Sequence, residues 1–315
     1  MPILLSGLTI SGGITFTDAN APGTARAIFG YGFSGGYLSI TNLVSNTGVV
    51  ANNTTGVGTA RNGLAAAGYG TDKAIFGYGL APAPNYYVSL TNLVSNTGVV
   101  ATDTTGVGNA RNYLAACGYG TDKAIFGYGD NNDTPEFKSI TNLVSNTGVV
   151  ATDTAGVGTI RCQLAAAGYG SDKAIFGYGR SATLYSITNL VSNTGVVAND
   201  TTGVGTARYG VAAAGYGTDK AIFGYGYNNS TALSITNLVS NTGVVATDTT
   251  GVGTARYALA AAGYGSDKAI FGYGRNATYG VTMTNLVSNT GVVATDTTGI
   301  GTGRLDLAAA GYSLT

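Results

Sequence analysis

The chain has 315 residues, of which 44% are hydrophobic and only 10% are charged, and its formal net charge is zero. This apolar content excludes an intrinsically disordered chain, and the balanced charge gives no electrostatic attraction to nucleic acid or to an acidic membrane surface. No apolar stretch approaches the roughly 20 residues of a membrane helix. We therefore expect neither a nucleic-acid partner nor membrane insertion.

The phrase TNLVSNTGVV occurs six times without a change. Its copies begin at Thr41, Thr91, Thr141, Thr188, Thr236 and Thr284. A repeat of this length, built from strand-forming residues and glycine turns, is typical of a ring or stack of small β-sheets. Because the six units look alike, we predict one domain over residues 26–315.

Residues 1–25 precede the first regular unit. Residues 8–26 align without gaps to the end of a unit, so they predict a degenerate hairpin whose following strand was lost. We expect this segment to act as an arm that caps a face, adds to a sheet edge or docks onto a partner. The first residues lack the basic and apolar regions of a signal peptide, so lysis of a host cell is the expected route for an extracellular location.

The unit from Arg208 to Arg256 predicts four short antiparallel strands, which we call a to d. Strand a (VAAAGYG) leads through a TD turn to strand b (KAIFGYG), and a variable b–c loop follows. Strand c (SITNLVS) leads through the turn NTG to strand d (VVATDTT). Glycine in the c–d turn supplies the positive φ of a tight hairpin. The small residues of strand a predict an inner strand where backbones crowd together.

The two chain ends predict how the units close. The first strand b, at Ala27, has no strand a before it, and the last strand a, from Leu307 to Tyr312, has no strand b after it. The C-terminal strand can therefore complete the first sheet and remove an open edge. We predict an all-β, six-bladed β-propeller of four-stranded antiparallel blades, closed in this way.

The order of three short motifs resembles a kelch repeat from about Arg26 to Tyr312. TAR, then FGYG, then NTGV follow one another in each unit, although Tyr splits the usual glycine pair and the usual Trp after NT is absent. This resemblance implies a kelch-like propeller. The repeated sequence GVVATDTTGVGTAR is also similar to sequences of repetitive propeller proteins of bacteriophages. This resemblance implies a virion component.

The residue types available for catalysis are few. The chain has no His, which removes the usual general base and the commonest metal ligand. Glu136 is the only Glu, while one Asp recurs in each a–b turn and another near the end of strand d, which predicts turn, capping and Arg-pairing roles. Cys117 and Cys162 lie in no motif, and a disulfide between them is the alternative to chance substitution. We therefore expect no enzyme, no cofactor and no metal.

Two short stretches differ between the units. One is the b–c loop, and the other is the residue pair after each TAR-type motif. In an a–b–c–d meander both emerge on the same face, and the substitutions favour the aromatic and Arg residues that anchor binding interfaces. The alternative is neutral drift after duplication. The predicted ligand-binding residues are Phe33, Tyr86, Tyr87, Tyr113, Phe137, Arg180, Tyr185, Tyr209, Tyr227, Tyr257, Arg275 and Tyr279.

These observations favour a non-enzymatic binding or structural propeller. We expect a phage virion component of the tail, fibre or capsid surface that recognises a host surface glycan or another virion protein through the variable face. One alternative is a purely structural assembly block docked through residues 1–25. Another is a lectin-like or other cellular protein-interaction propeller, which would be cytoplasmic. Assembly into a homo-oligomer stays open.

Overall fold

The computed structural model describes residues 25–84 and 86–313. Except for Ala25, the predicted N-terminal arm lies outside the described residues. Within them, all regular secondary structure is β-strand, as the sequence predicts. No helix in this part of the chain is long and apolar enough to cross a membrane.

The strands form six antiparallel sheets of three strands each, in the order a–b–c. Sheet I contains β18 (Ala308–Ser313), β1 (Ala25–Phe33) and β2 (Tyr37–Val44); sheet II contains β3 (Ala65–Tyr69), β4 (Lys73–Gly77) and β5 (Thr91–Val94); sheet III contains β6 (Ala115–Tyr119), β7 (Lys123–Gly127) and β8 (Thr141–Val144). Sheet IV contains β9 (Ala165–Tyr169), β10 (Lys173–Gly177) and β11 (Thr188–Val191); sheet V contains β12 (Ala212–Tyr216), β13 (Lys220–Tyr227) and β14 (Ala232–Val239); sheet VI contains β15 (Ala260–Tyr264), β16 (Lys268–Gly272) and β17 (Thr284–Val287).

The C-terminal strand completes the first sheet, as predicted. β18 pairs with β1 from Ala25 opposite Ser313 to Gly30 opposite Ala308. The first and last segments of the repeat therefore share one sheet, and the edge of β1 that would otherwise be open is covered.

The a strands lie side by side, where their small residues allow close approach. β3, β6, β9, β12, β15 and β18 each contact the next, and β18 contacts β3. A Cβ atom added at Gly68 would lie 3.1 Å from the Gly311 carbonyl oxygen, and one at Gly118 would lie 3.3 Å from the Gly68 oxygen. The sequence prediction that backbones crowd at strand a is confirmed.

Six apolar clusters hold neighbouring sheets together. In one of them Ile75 and Tyr78 of one unit pack with Phe126 of the next, and the rings of Tyr78 and Phe126 meet edge to face at 5.2 Å. The Phe126 ring occupies the space beside Gly77, where an added Cβ would lie 2.7 Å from Cζ. Glycine at this position of strand b is therefore required by the neighbouring sheet.

The prediction of a fourth strand in each sheet is wrong. In the first unit strand d makes two isolated bridges, between Val44 and Val50 and between Thr41 and Thr54, and forms no extended ladder. The side-chain Nδ2 of Asn42 donates to the Ala51 carbonyl at 2.9 Å, so a side chain takes the place of a backbone donor. The pairing of segment d with strand c shifts by one residue between the two bridges, and the sheets therefore have three strands.

Candidate binding face

A buried arginine joins each pair of neighbouring units, and Arg61 illustrates the arrangement. Its Nε donates to the Tyr78 carbonyl at 2.8 Å and its Nη2 donates to Asn92 Oδ1 at 2.7 Å. Its guanidinium lies 4.3 Å from the centre of the Tyr31 ring, which belongs to the preceding sheet. The same contacts recur at Arg111, Arg161, Arg208, Arg256 and Arg304. These six Arg residues therefore fix the sheets beneath the variable face.

The predicted Arg–Asp pair forms, but with a different Arg from the one that follows the Asp in sequence. Asp103 comes shortly before Arg111, yet it lies 4.0 Å from Nη1 of Arg61, the Arg at the start of its own unit. Asp103 also accepts hydrogen bonds from the backbone N–H and the hydroxyl of Thr59. Burial alone would raise the pKa of Asp103, but these hydrogen bonds, Asn92 and Arg61 together lower it. The carboxylate is therefore a charged clamp that joins segment d to residues 59–61, where the preceding unit ends and its own begins.

One of these clamps lacks its charge. The position of Asp103 is occupied by Asn53 in the first unit, where Asn53 Nδ2 donates to Thr302 Oγ1 at 2.8 Å and Asn53 Oδ1 accepts from Thr302 N–H at 3.3 Å. This is the contact between the first and last units. Arg304 there has hydrogen bonds to Tyr31 and Asn42, and no salt bridge of the described residues involves it.

A cycle of backbone hydrogen bonds surrounds the centre of the variable face. The six residues involved are the second members of the variable pairs, which we call the axial positions. They are Gly63, Tyr113, Gln163, Gly210, Ala258 and Asp306. Each N–H donates to the carbonyl of the preceding axial residue at 2.6 to 2.9 Å, and Gly63 donates to Asp306 at 2.8 Å. This cycle holds one backbone geometry at six positions that carry five different residue types.

The remaining variable positions are held in equally regular register. The first member of each variable pair forms a bridge with the first residue of the b–c loop in the same sheet. These bridges join Asn62 with Leu80, Asn112 with Asp130, Cys162 with Arg180, Tyr209 with Tyr227, Tyr257 with Arg275, and Leu305 with Phe33. The side chains at these positions therefore vary while the backbone pairing stays the same. Comparison of the sequences alone could not establish this constancy.

The predicted binding residues occupy this face but do not form one site. Phe33, Tyr87, Tyr113, Phe137, Arg180, Tyr185, Tyr209, Tyr227 and Tyr257 are half-buried, whereas Tyr86, Arg275 and Tyr279 are exposed. Several find partners in their own surroundings: the rings of Phe33 and Tyr37 meet at 5.6 Å, and the Tyr87 hydroxyl lies 3.1 Å from Asn132 Oδ1.

Three of the predicted tyrosines form a cluster, which we call the tyrosine platform. Tyr227 and Tyr257 have ring centres 4.9 Å apart, and Tyr209 lies 5.7 and 6.5 Å from them. The Arg180 guanidinium lies 4.8 Å from the centre of the Tyr209 ring. Arg275 is the bridge partner of Tyr257. Aromatic and cationic groups from three units therefore meet at one side of the face.

The axial positions form a small depression that contains the buried carboxyl group of Asp306. The cavity has a volume of about 70 Å³ and is lined by Tyr113, Gln163 and Asp306 among other axial residues. The Tyr113 ring lies over Gly63, which has no side chain to obstruct it, and its hydroxyl is 3.4 Å from Asp306 Oδ2. Burial raises the pKa of Asp306 to about 7.

A second perturbed carboxyl lies beside Cys162. Burial, with a contribution from Glu136, raises the pKa of Asp130 to about 7. Cys162 and Cys117 are both buried free thiols, so the disulfide alternative is wrong. Asp130, Asp306 and Gln163 were absent from the predicted residues because the prediction favoured aromatic and Arg side chains, although all three stand at variable positions.

The opposite face carries a ring of paired charges around a larger cavity. A lysine follows the Asp of each a–b turn and donates to it, as Lys173 does to Asp172 Oδ1 at 2.9 Å. The cavity at this mouth has a volume of about 380 Å³. Among the described residues, no three His, Cys, Asp or Glu side chains lie close enough to hold a metal ion.

The comparisons with known proteins bear on the fold alone. No family model and no curated protein matches the chain. The chain is similar to the solved structure of YjhT, with a TM-score of 0.61 at 10% sequence identity, over 84% of this chain and 96% of that one. YjhT has a propeller-like fold, so the repeated sheets of this chain are consistent with a β-propeller.

Proposed function

We propose that this chain is a closed, six-bladed, kelch-like propeller that recognises another molecule through its variable face and catalyses no reaction. The observation that carries the proposal is the register of that face. The axial positions, and the bridges between the first member of each variable pair and the first residue of the b–c loop, recur in all six units while their side chains vary. Such a frame displays a particular set of side chains in fixed positions, which is how binding loops on rigid scaffolds work.

The cyclic contacts support the closed architecture. The a strands contact one another in a cycle, the axial hydrogen bonds return from Asp306 to Gly63, and β18 pairs with β1. Closure of this kind pre-orders the binding face before any ligand arrives, which lowers the entropic cost of association.

The biological setting that we propose is a phage virion, where the protein binds a host surface glycan or another virion protein. This part rests on the wording of the repeat and on the low charge of the chain. Dense packing against neighbours suits a surface with few charges, and aromatic side chains with polar tips suit a glycan.

The test uses exposed side chains, because their removal leaves the packing intact. Tyr86 and Tyr279 are 57% and 64% exposed on the variable face, whereas Val99 and Val244 are 65% and 66% exposed at the c–d turns. Labelled wild-type protein, a Tyr86→Ala/Tyr279→Ala variant and a Val99→Ala/Val244→Ala variant are compared for binding to bacterial cell envelopes and to a glycan array.

We expect the tyrosine variant to bind several-fold more weakly and the valine variant to bind like wild type, with equal thermal stability for all three. If only the valine variant lost binding, the c–d turns would be the binding surface and the proposal would be refuted.

A further inference from the structure

Two arginines beside the tyrosine platform have no acidic partner within salt-bridge distance in the described part of the chain. Arg180 donates through Nε to Gln163 Oε1 at 2.6 Å, lies beside the Cys162 thiol and stacks on Tyr209. Arg275 is exposed, and no hydrogen bond or ion pair of the described residues involves its guanidinium. Arg161, Arg208 and other buried arginines of the repeat have an Asp within 4.0 Å. Donor groups of both platform arginines are thus available to a ligand.

The nearest carboxyl groups compensate these charges only in part. Asp130 interacts electrostatically with Arg180, and Asp306 interacts with Arg275. Burial raises the pKa of each carboxyl to about 7. Neither carboxyl lies within salt-bridge distance of its arginine among the described residues, so the positive charges of Arg180 and Arg275 are only partly offset.

We propose that the tyrosine platform, with Arg180 and Arg275, binds an acidic saccharide. The apolar face of a sugar ring packs on the tyrosine rings, and its carboxylate accepts paired N–H bonds from a guanidinium, the geometry in which Arg recognises carboxylates. The hydroxyls of Tyr209 and Tyr257 make no hydrogen bond among the described residues and are available to sugar hydroxyls. The inference rests on the proposed function, because it places recognition on the variable face.

A saccharide fits this surface better than an extended acidic peptide. A peptide that adds to a sheet needs an open strand edge. At the platform the backbones of Tyr209 and Tyr227 donate to each other, at 3.1 and 2.8 Å, and those of Tyr257 and Arg275 do the same, at 3.0 and 2.8 Å. Recognition there depends on side chains alone, which suits a ligand that offers a ring face, hydroxyls and a carboxylate.

The experiment compares acidic sugars with their own neutral counterparts. The full chain is applied to an array of sialylated and uronate-containing oligosaccharides, each printed beside its desialylated or methyl-esterified form, with a poly-glutamate peptide as a further probe. The variants are Arg180→Gln/Arg275→Gln and Tyr227→Leu. The matched control is Lys123→Gln/Lys220→Gln, which removes two positive charges from the a–b turns of the opposite face.

We expect wild type and the lysine control to retain at least one acidic sugar and to release its neutral counterpart. The arginine variant should lose about tenfold in affinity, since a charged hydrogen bond contributes about 1.5 kcal/mol or more. Tyr227→Leu should lose several-fold, because it removes an aromatic ring on which the sugar packs. Far-UV circular dichroism and thermal midpoints establish that each variant is folded.

Three results would overturn the inference: retention of no acidic sugar, equal retention of acidic and neutral forms, or equal binding to poly-glutamate. If wild type then binds a neutral glycan or a protein and the Tyr86→Ala/Tyr279→Ala variant does not, the proposed function stands while the acidic-sugar inference fails. If binding survives every change on the variable face, the proposed function fails as well.

Discussion

Asp and Asn occupy the same position in different units, so two opposite substitutions can test what the charge contributes to the clamps. Exchanging Asp103 for Asn removes one charge from a clamp, whereas exchanging Asn53 for Asp adds a charge where the first and last units meet. Both side chains already accept a hydrogen bond from the N–H of a threonine of the neighbouring unit, Thr59 or Thr302. The hydroxyl of Thr59 donates to Asp103, whereas that of Thr302 accepts from Asn53. The two substitutions preserve shape and differ mainly in the sign of the charge change.

The geometry gives the expected magnitude. In the paired units the Arg Nη1 and Asp Oδ1 atoms lie 3.8 to 4.0 Å apart. Two unit charges at this distance attract by about 4 kcal/mol at an effective dielectric constant near 20. The Asp side chain keeps 27% of its surface exposed, so solvent screening and desolvation reduce the net effect to about 1 kcal/mol. We expect Asp103→Asn to lower the free energy of unfolding by about this amount and Asn53→Asp to raise it by a similar amount.

Urea unfolding followed by far-UV circular dichroism measures both effects, because the chain has no Trp for fluorescence. The slopes of the two variants must equal that of wild type for the midpoints to report stability. The lowered pKa of Asp103 means that its contribution is present above the unfolded pKa of about 3.9. It is lost as the pH falls through the lower folded value. The gap between wild type and Asp103→Asn should therefore close in strong acid.

The reasoning would be refuted if Asn53→Asp were neutral or destabilising at pH 7 while Asp103→Asn destabilised. That pattern would assign the clamp to hydrogen-bond geometry and remove the role of charge. A gap that persisted unchanged at pH 2 would lead to the same conclusion.

Three further predictions concern packing, the axial carboxyl and the shared sheet. Gly77→Ala should lower the free energy of unfolding by about 2 kcal/mol because its Cβ would meet the Phe126 ring at 2.7 Å. Gly36→Ala, which has open space around it, should change the urea midpoint little. Equal urea midpoints for the two variants would contradict the predicted clash. Because the pKa of Asp306 is raised to about 7, its contribution to stability is complete below about pH 4 and is lost as the pH rises through 7. The free energy of unfolding of Asp306→Asn should therefore exceed that of wild type by on the order of 2 kcal/mol at pH 8, and the two should be equal at pH 4. Thermal midpoints measured across this pH range test the difference. Deleting the chain from Leu307 onward removes β18, so the open edge of β1 should cause aggregation that light scattering detects, and a stable monomer would be evidence against the shared sheet.

Much of the fold followed from the sequence because its signals are local and repeated. Glycine at the c–d turn and the Ala-Gly strand a each occur six times, so chance patterns are averaged away. The first unit lacks a strand a, and the chain ends on an extra one that begins at Leu307. These two features of the sequence predicted the pairing of β18 with β1. The fourth strand failed because its outcome depended on one side chain, Asn42, which replaces a ladder bond with its own amide. A strand-like composition does not reveal such a replacement.

The candidate site was predicted less completely. Comparing the units identified the variable positions, and the aromatic and Arg bias selected twelve of them. The meeting of Tyr209, Tyr227 and Tyr257 could not be predicted, because it depends on distances between units. The perturbed carboxyls of Asp130 and Asp306 were missed for a similar reason, since burial changes a pKa and burial is a property of the folded chain.

The sequence by itself determined that six similar β units alternate constant and variable stretches, because hydrophobic pattern, turn glycines and repetition are written along the chain. Only the tertiary structure decided which Arg each Asp contacts. Asp103 stands eight residues before Arg111 yet contacts Arg61, at the start of its own unit. The physical reason is that packing of neighbouring sheets, and not sequence separation, sets the distance between charges, and the same packing aligns the variable residues on one face.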